Sequence, residues 1–331
     1  MSIDFKAEIE RLKAKLDVTV VAHYYQRDEV FEMADITGDS LELARRCQAD
    51  DREWVVFCGV GFMGQSVKVI APEKRVLMPK VACCAMARMI DASYFDDSVN
   101  YMVERGVAKE DILPITYINS DATVKAKVGE MGGLVCTSSN AFKIIEKGLE
   151  SGKKILFVPD RCLGQNFANS MGLKSCVIGE GACDPKEADV ICFNGFCSVH
   201  QLFTVEDIEF YRQKFPGIKI AVHPECDPSV VKAADFSGST SQLIKYVNDL
   251  DPEQKVAIGT EYNLVNRMRQ KNTYVLSSTK PECPTMNETT LEDLYLTLKS
   301  IEDGKPINEI VVDPHTVKYA NLALERMLAI K

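Results

Sequence analysis

Short apolar runs recur along the chain, each followed by a polar loop and then a helical pattern. Such alternation is the mark of βα units feeding a parallel sheet. The runs fall into three similar groups. The first holds VTVVAHYYQ, WVVFCGVGFMGQSVKVI and RVLMP, and the second ILPITYINS, GLVCTSSNAFKIIEKG and KILFVPD. The third holds IKIAVHPEC, ADFSGSTSQLIKYV and KVAIGTE. In each group the middle run ends in small residues that open a helix. From there to the end of the next run, Cys58 to Pro79 is 21 positions, Cys136 to Pro159 is 23 and Ser237 to Gly259 is 22. We therefore read an α/β chain of three α/β/α repeats, each about the size of a small domain. The expected division is 1–85, 86–196 and 197–289, with 290–331 packing on the first.

Polar residues follow the runs directly: His23, Tyr25, Tyr117, Asn119, Ser138, His223, Glu225 and Thr240. In open parallel sheets ligands bind beyond the carboxyl ends of the strands. Three such edges facing one another would enclose one central pocket. His200 lies in a loop of the same kind, whereas His315 reads as structural. A formal net charge of −9 argues against nucleic-acid or anionic-membrane partners, because both require a basic face. Residues 1–17 read as a charged amphipathic helix with Ile3, Ile9, Leu12 and Leu16 on its apolar edge. No export signal and no membrane-spanning run is expected, which points to the cytoplasm.

The chain has twelve cysteines. A cytosolic protein of this size does not need disulfides, and most of the twelve sit in strand-like runs where a free thiol packs as a small hydrophobe. Cys84, Cys197 and Cys283 stand apart, each in a loop after a run, 113 and 86 positions from one another. No CxxC spacing occurs, so neither a zinc ribbon nor a ferredoxin-type run fits. Three thiolates are one short of the set that holds an electron-transfer cluster. A 4Fe-4S cluster on three cysteines would leave one iron open as a Lewis acid, and zinc on three cysteines is the competing reading.

GDS at 38–40, TSSN at 137–140 and GSTS at 238–241 each place hydroxyls and backbone N–H groups at a helix start, where phosphate and carboxylate bind. Plain N-capping explains any one of them. Three at equivalent run ends favour an anionic ligand. GVGFMG at 59–64 has the wrong glycine spacing for a dinucleotide fingerprint. HPE at 223–225 sets an imidazole two residues from a carboxylate, a pair able to move protons near neutral pH.

Taken together, AHYYQ, GDSLELA, YINSDATVKA, VCTSSNA, FNGFCSVH, VHPEC, GSTSQLIKY, GTEYNLVNRM and CPTMNETTLEDLYLTL closely resemble the quinolinate synthase A family, from about residue 18 to the C-terminus. The resemblance implies three pseudo-threefold-related, Rossmann-like α/β/α domains around a central active-site cavity. It implies a 4Fe-4S cluster on Cys84, Cys197 and Cys283. Within ACCAMARM it puts Cys84 at the ligand and Cys83 where the family has glycine, a departure from the pattern. The KVGEMGG segment looks about four residues longer than the common form. The implied substrate residues are His23, Tyr25 and Ser40; Tyr117, Asn119 and Ser138; and His223, Glu225, Ser239 and Thr240, with His200 after its ligand cysteine. The implied reaction condenses iminoaspartate with dihydroxyacetone phosphate to quinolinate, losing phosphate and water, in de novo NAD biosynthesis and coupled to L-aspartate oxidase. Glu225 and His223 are the proton-transfer candidates, and Tyr25 and Tyr117 help close the site. Two rivals are an iron–sulfur hydro-lyase for a small hydroxy acid and an iron–sulfur sensor. The sensor would need an output surface, and the sequence displays none.

Overall fold

The computed structural model describes residues 3–268 and 272–330. Three separate sheets form, and every pairing within them is parallel. The first contains β1 (Val18–His23), β2 (Ile36–Gly38), β3 (Trp54–Cys58) and β4 (Arg75–Leu77), in the order β2-β1-β3-β4. The second contains β5 (Ile112–Tyr117), β6 (Leu134–Cys136), β7 (Lys154–Val158), β8 (Ser175–Val177) and β9 (Val190–Cys192), in the order β6-β5-β7-β9-β8. The third contains β10 (Lys219–Val222), β11 (Phe236–Ser237), β12 (Val256–Gly259) and β13 (Thr273–Val275), in the order β11-β10-β12-β13. The central strands are buried on both faces, which is why they read as continuous apolar runs with no polar alternation. Cys58, Cys136 and Cys192 are among the buried strand residues, as expected of small hydrophobes.

Strand order corrects the expected repeat. The first strands β1, β5 and β10 are equivalent, but the second strand of the first group is β2 rather than WVVFC. That run is β3, the counterpart of β7 and β12. A three-residue strand such as ITG carries too little apolar signal to register, so its longer neighbour took its place. The near-constant spacing from Cys58 to Pro79 therefore compares elements that are not equivalent. A second correction concerns thiols: Cys176 of the edge strand β8 is disulfide-bonded to Cys183, in a chain expected to need no disulfide.

The first two sheets share one continuous apolar core, while the third carries its own core on each face, built from residues between Phe203 and Leu276. The N-terminal helix runs Phe5–Leu16 and buries Ile9 and Leu12 against Leu294 and Leu298 of the helix Leu291–Glu302. Ile3 precedes that helix and is exposed, so Phe5, whose ring packs at a tilt against Tyr295, extends the apolar edge instead. Residues 1–2 of the expected helix lie outside the described residues. The last helix, Pro314–Ala329, packs on the helix Ala122–Glu130 of the second unit, and Arg326 donates to the carbonyls of Gly129 and Gly133. Here the two backbones nearly touch. A Cβ on Gly129 would lie 1.9 Å from the Tyr319 carbonyl oxygen. Backbone cannot move aside as a side chain can. Gly129→Ala is therefore expected to destabilise by at least the ~1–3 kcal/mol of ordinary overpacking, lowering Tm by several degrees in a thermal melt. An unchanged Tm would mean that the C-terminal helix does not dock this closely.

Candidate active site

Strand register places the polar residues in threefold relation. Ala22 lies level with Thr37 and Cys58, Thr116 with Val135 and Val158, and Val222 with Ser237 and Gly259. One residue beyond the level on the first strand come His23, Tyr117 and His223. Three beyond it come Tyr25, Asn119 and Glu225. Three beyond it on the second strand come Ser40, Ser138 and Thr240. All nine line one cavity where the three sheet edges meet.

The cysteines obey the same rule. Cys84 comes seven residues after β4, Cys197 five after β9 and Cys283 eight after β13, and these three are the equivalent fourth strands. All three line the cavity, whereas Cys83 is exposed and lines only an outer cleft that Cys84 also borders. Burial pushes the Cys84 thiol up to about 12 and raises Cys197 and Cys283; Cys283 and Glu225 add to the rise at Cys84, and Glu225, Cys84 and Cys283 to that at Cys197. A bound cation would be needed to make thiolates of them.

Because the third unit has its own apolar core, it meets the others at the site largely through polar side chains. The Tyr25 hydroxyl lies 3.1 Å from Thr240 Oγ1 and 3.0 Å from Thr260 Oγ1. The Tyr117 hydroxyl donates to Glu225 Oε1 at 2.7 Å. Ser241 donates to Asp39 Oδ2 at 2.8 Å. Burial raises both tyrosines, so each is a neutral O–H donor.

The His223–Glu225 pair of the HPE segment is not hydrogen-bonded through its side chains. His223 Nδ1 and Glu225 Oε1 are 3.9 Å apart. Instead His200 Nδ1 lies 3.0 Å from Glu225 Oε2 and 3.1 Å from Cys197 Sγ, and its Nε2 lies 3.1 Å from Thr260 Oγ1. His223 stacks on His200, with ring centroids 4.7 Å apart. His23 Nδ1 accepts the Tyr25 N–H at 3.1 Å and His223 Nδ1 the Glu225 N–H at 3.3 Å. Both imidazoles are thereby fixed as Nε2–H tautomers. Burial lowers them to about 4 and about 3, so they are neutral donors near pH 7. Burial alone would push Glu225 up, but His200, His223 and the Tyr117 bond together hold it down at about 2, as a carboxylate.

At the helix starts, capping and site-lining fall on adjacent residues. Asp39 caps the helix Ser40–Ala49, accepting from the Leu41 and Glu42 N–H groups. Ser239 caps Thr240–Asp249 in a box with Gln242. Ser239 is thus a cap and does not line the cavity, while Ser40 and Thr240 occupy the first helical turn, whose N–H groups have no partner inside the helix. Two carboxylates were not anticipated. Asp39 lines the cavity, as does Glu261, whose carboxyl burial pushes up to about 8 while it accepts the Cys283 and Asn263 N–H groups at 3.3 and 2.8 Å. The equivalence of Glu261 to Asp160, each two residues past its level strand position, is the signal that could have found it.

The family described as Quinolinate synthetase A protein matches residues 7–329. A quinolinate synthase of Helicobacter pylori is 56% identical over 330 residues, covering 98% of this chain and 98% of that relative. One from Streptomyces coelicolor is 40% identical over 349 residues, covering 99% of this chain and 88% of its own. With the match running almost end to end, and with full-length relatives this similar, the chain belongs to the quinolinate synthetase A family.

Proposed function

We propose that this chain is a quinolinate synthase, condensing iminoaspartate with dihydroxyacetone phosphate in de novo NAD biosynthesis, and that its cavity is the active site. Three cysteines from equivalent loops, opening into the same cavity as His23, Tyr117 and His223, carry the reading. The donor set also bears on the metal. Around one tetrahedral zinc, thiolate sulfurs stand about 3.8 Å apart, given Zn–S bonds of ~2.3 Å. Among the described residues, the group of His, Cys, Asp and Glu donor atoms lying mutually within 4.8 Å is Cys197, His200 and Glu225, not the three cysteines. Thiolates spread more widely than a single ion requires suit a 4Fe-4S cluster, in which each holds a different iron. Such a cluster on Cys84, Cys197 and Cys283 would supply Lewis acidity from the iron that lacks a protein ligand.

The chain's own residues would do the rest. His23 and His223 present Nε2–H donors suited to carboxylate oxygens. Ser40, Ser138 and Thr240 add hydroxyls, and the helix starts at Ser40 and Thr240 add N–H groups, for phosphate or carboxylate. Tyr25 and Tyr117, bonded across the unit boundaries, close the cavity and limit water. Glu225 held near 2 is a weak base, but entry of a dianion beside it raises its pKa toward the range where Oε1 or Oε2 can accept and return a proton. Supply of iminoaspartate by oxidation of aspartate is the basis for coupling to L-aspartate oxidase.

Anaerobic purification followed by iron and sulfide analysis tests this reading. The expected result is four of each per chain, with quinolinate formed only when both substrates are present. Turnover of a citrate- or malate-like hydroxy acid without dihydroxyacetone phosphate would replace it with hydro-lyase chemistry.

A further inference from the structure

Cys197, His200 and Glu225 form a second donor set inside the cavity. Cys197 and His200 lie in the segment after β9, and Glu225 lies in the loop after β10. Their ligand atoms lie mutually within 4.8 Å, with His200 Nδ1 only 3.0 Å from Glu225 Oε2 and 3.1 Å from Cys197 Sγ. Around a tetrahedral zinc, donors of these types stand about 3.4–3.6 Å apart, given bonds of ~2.0–2.3 Å. An opening of a few tenths of an ångström would admit an ion.

The outer contacts favour this use of the trio. His200 Nε2 lies 3.1 Å from Thr260 Oγ1, which can accept an Nε2–H when an ion takes the Nδ1 lone pair. Glu225 Oε1 is held by the Tyr117 hydroxyl at 2.7 Å, which leaves Oε2 for a ligand. His200 and Glu225 are only 2% and 3% exposed, so both are fixed by packing. Thiolate, imidazole and carboxylate with a fourth position open to a cavity make up a zinc-type set.

We propose that Cys197 Sγ, His200 Nδ1 and Glu225 Oε2 bind a single divalent transition-metal ion, such as Zn2+, when the cluster is absent. The site shares Cys197 with the cluster proposed above, so the two occupants exclude one another. A protein loaded with the single ion is blocked from cluster assembly and has metal in its substrate cavity. On binding, the Cys197 thiol gives up its proton and His200 ligates through Nδ1 with its single ring proton on Nε2, and no electron transfer is involved.

The test titrates Co2+ into anaerobically prepared, cluster-free protein. One Co2+ per chain is expected, with tetrahedral ligand-field bands and a charge-transfer band of one thiolate. Cys84→Ala and, independently, Cys283→Ala should keep this spectrum although both lose the cluster. Cys197→Ala and His200→Ala should weaken Co2+ binding by more than the 10–100-fold typical of an outer-partner change, and Thr260→Val by about that range. His223→Ala removes the stacked imidazole outside the donor set and should retain binding, which separates ligation from a general disturbance of the cavity. Preloading with Zn2+ should slow reconstitution of the wild-type cluster. Absence of Co2+ binding, a charge-transfer intensity of three thiolates, loss of binding in both Cys84→Ala and Cys283→Ala, or unchanged affinity in His200→Ala would each overturn the proposal. Iron and sulfide reconstitution of the same wild-type preparation reports on the cluster separately, so one failure is not mistaken for the other.

Discussion

Cys84→Ala is expected to abolish cluster assembly, while Cys83→Ala retains it. The two cysteines are neighbours in sequence but not in environment. Cys84 opens into the cavity shared with Cys197 and Cys283, and the Met86 and Ala87 N–H groups are directed at its sulfur. Cys83 is exposed and lines the outer cleft. A thiolate there cannot replace Cys84 without turning the loop over. After anaerobic reconstitution, Cys84→Ala should therefore carry almost no iron or sulfide and show no brown chromophore. Loss of a Lewis acid that contributes several kcal/mol should lower quinolinate formation by roughly 10³-fold or more. Cys83→Ala should match wild type on both measures. The converse result, with Cys83→Ala colourless and Cys84→Ala brown, would reverse the assignment.

Much of the fold could be read from the chain because its strands are long where they are central. VTVVAH and ILPITY are buried along their whole length and stand out as apolar runs. The edge strands β2 and β11, at three and two residues, carry no such signal. The mis-phasing of the first repeat follows directly. In an edge strand the backbone pairing to one neighbour defines the element, and side-chain burial on two faces does not. The Cys176–Cys183 bond likewise lies beyond composition, because it depends on how an edge strand and its loop meet in space.

The site divides along a similar line. Residues that terminate central strands were legible, because chain direction and strand ends place them at one edge. His23, Tyr117 and His223 belong to that class. Contacts between loops distant in sequence were not. Sequence proximity suggested His223 as the partner of Glu225, yet His200, twenty-five positions away, makes the 3.0 Å contact. Thr260, which links Tyr25 to His200, also has a role that only the meeting of first and third units reveals. At the helix starts the choice between cap and ligand had no single answer, because Ser239 caps while Thr240, next to it, faces the cavity.

Glu225→Gln is expected to separate chemistry from binding. The side chain is buried, and each of its oxygens has a fixed neighbour: Tyr117 at Oε1 and His200 at Oε2. Glutamine keeps the shape and an acceptor for the Tyr117 hydroxyl, and it removes a buried charge, so the fold should tolerate it. None of the three cysteines proposed to hold the cluster is changed. Iron and sulfide content should therefore equal wild type, and quinolinate should still perturb the cluster spectrum at a similar concentration. What disappears is the group that can accept and return a proton beside the substrate. General acid–base groups contribute ~10²–10⁴-fold, and their loss falls on turnover more than on affinity. Turnover should drop across that range with KM little changed. The neutral Nε2–H tautomers of His23 and His223 leave neither imidazole placed to compensate. If cluster-replete Glu225→Gln turned over at near wild-type rate, Glu225 would be a positioning residue for Tyr117 and His200, and the proton would have to pass through one of those two. If turnover and quinolinate binding fell together, the carboxylate would instead be part of the binding surface.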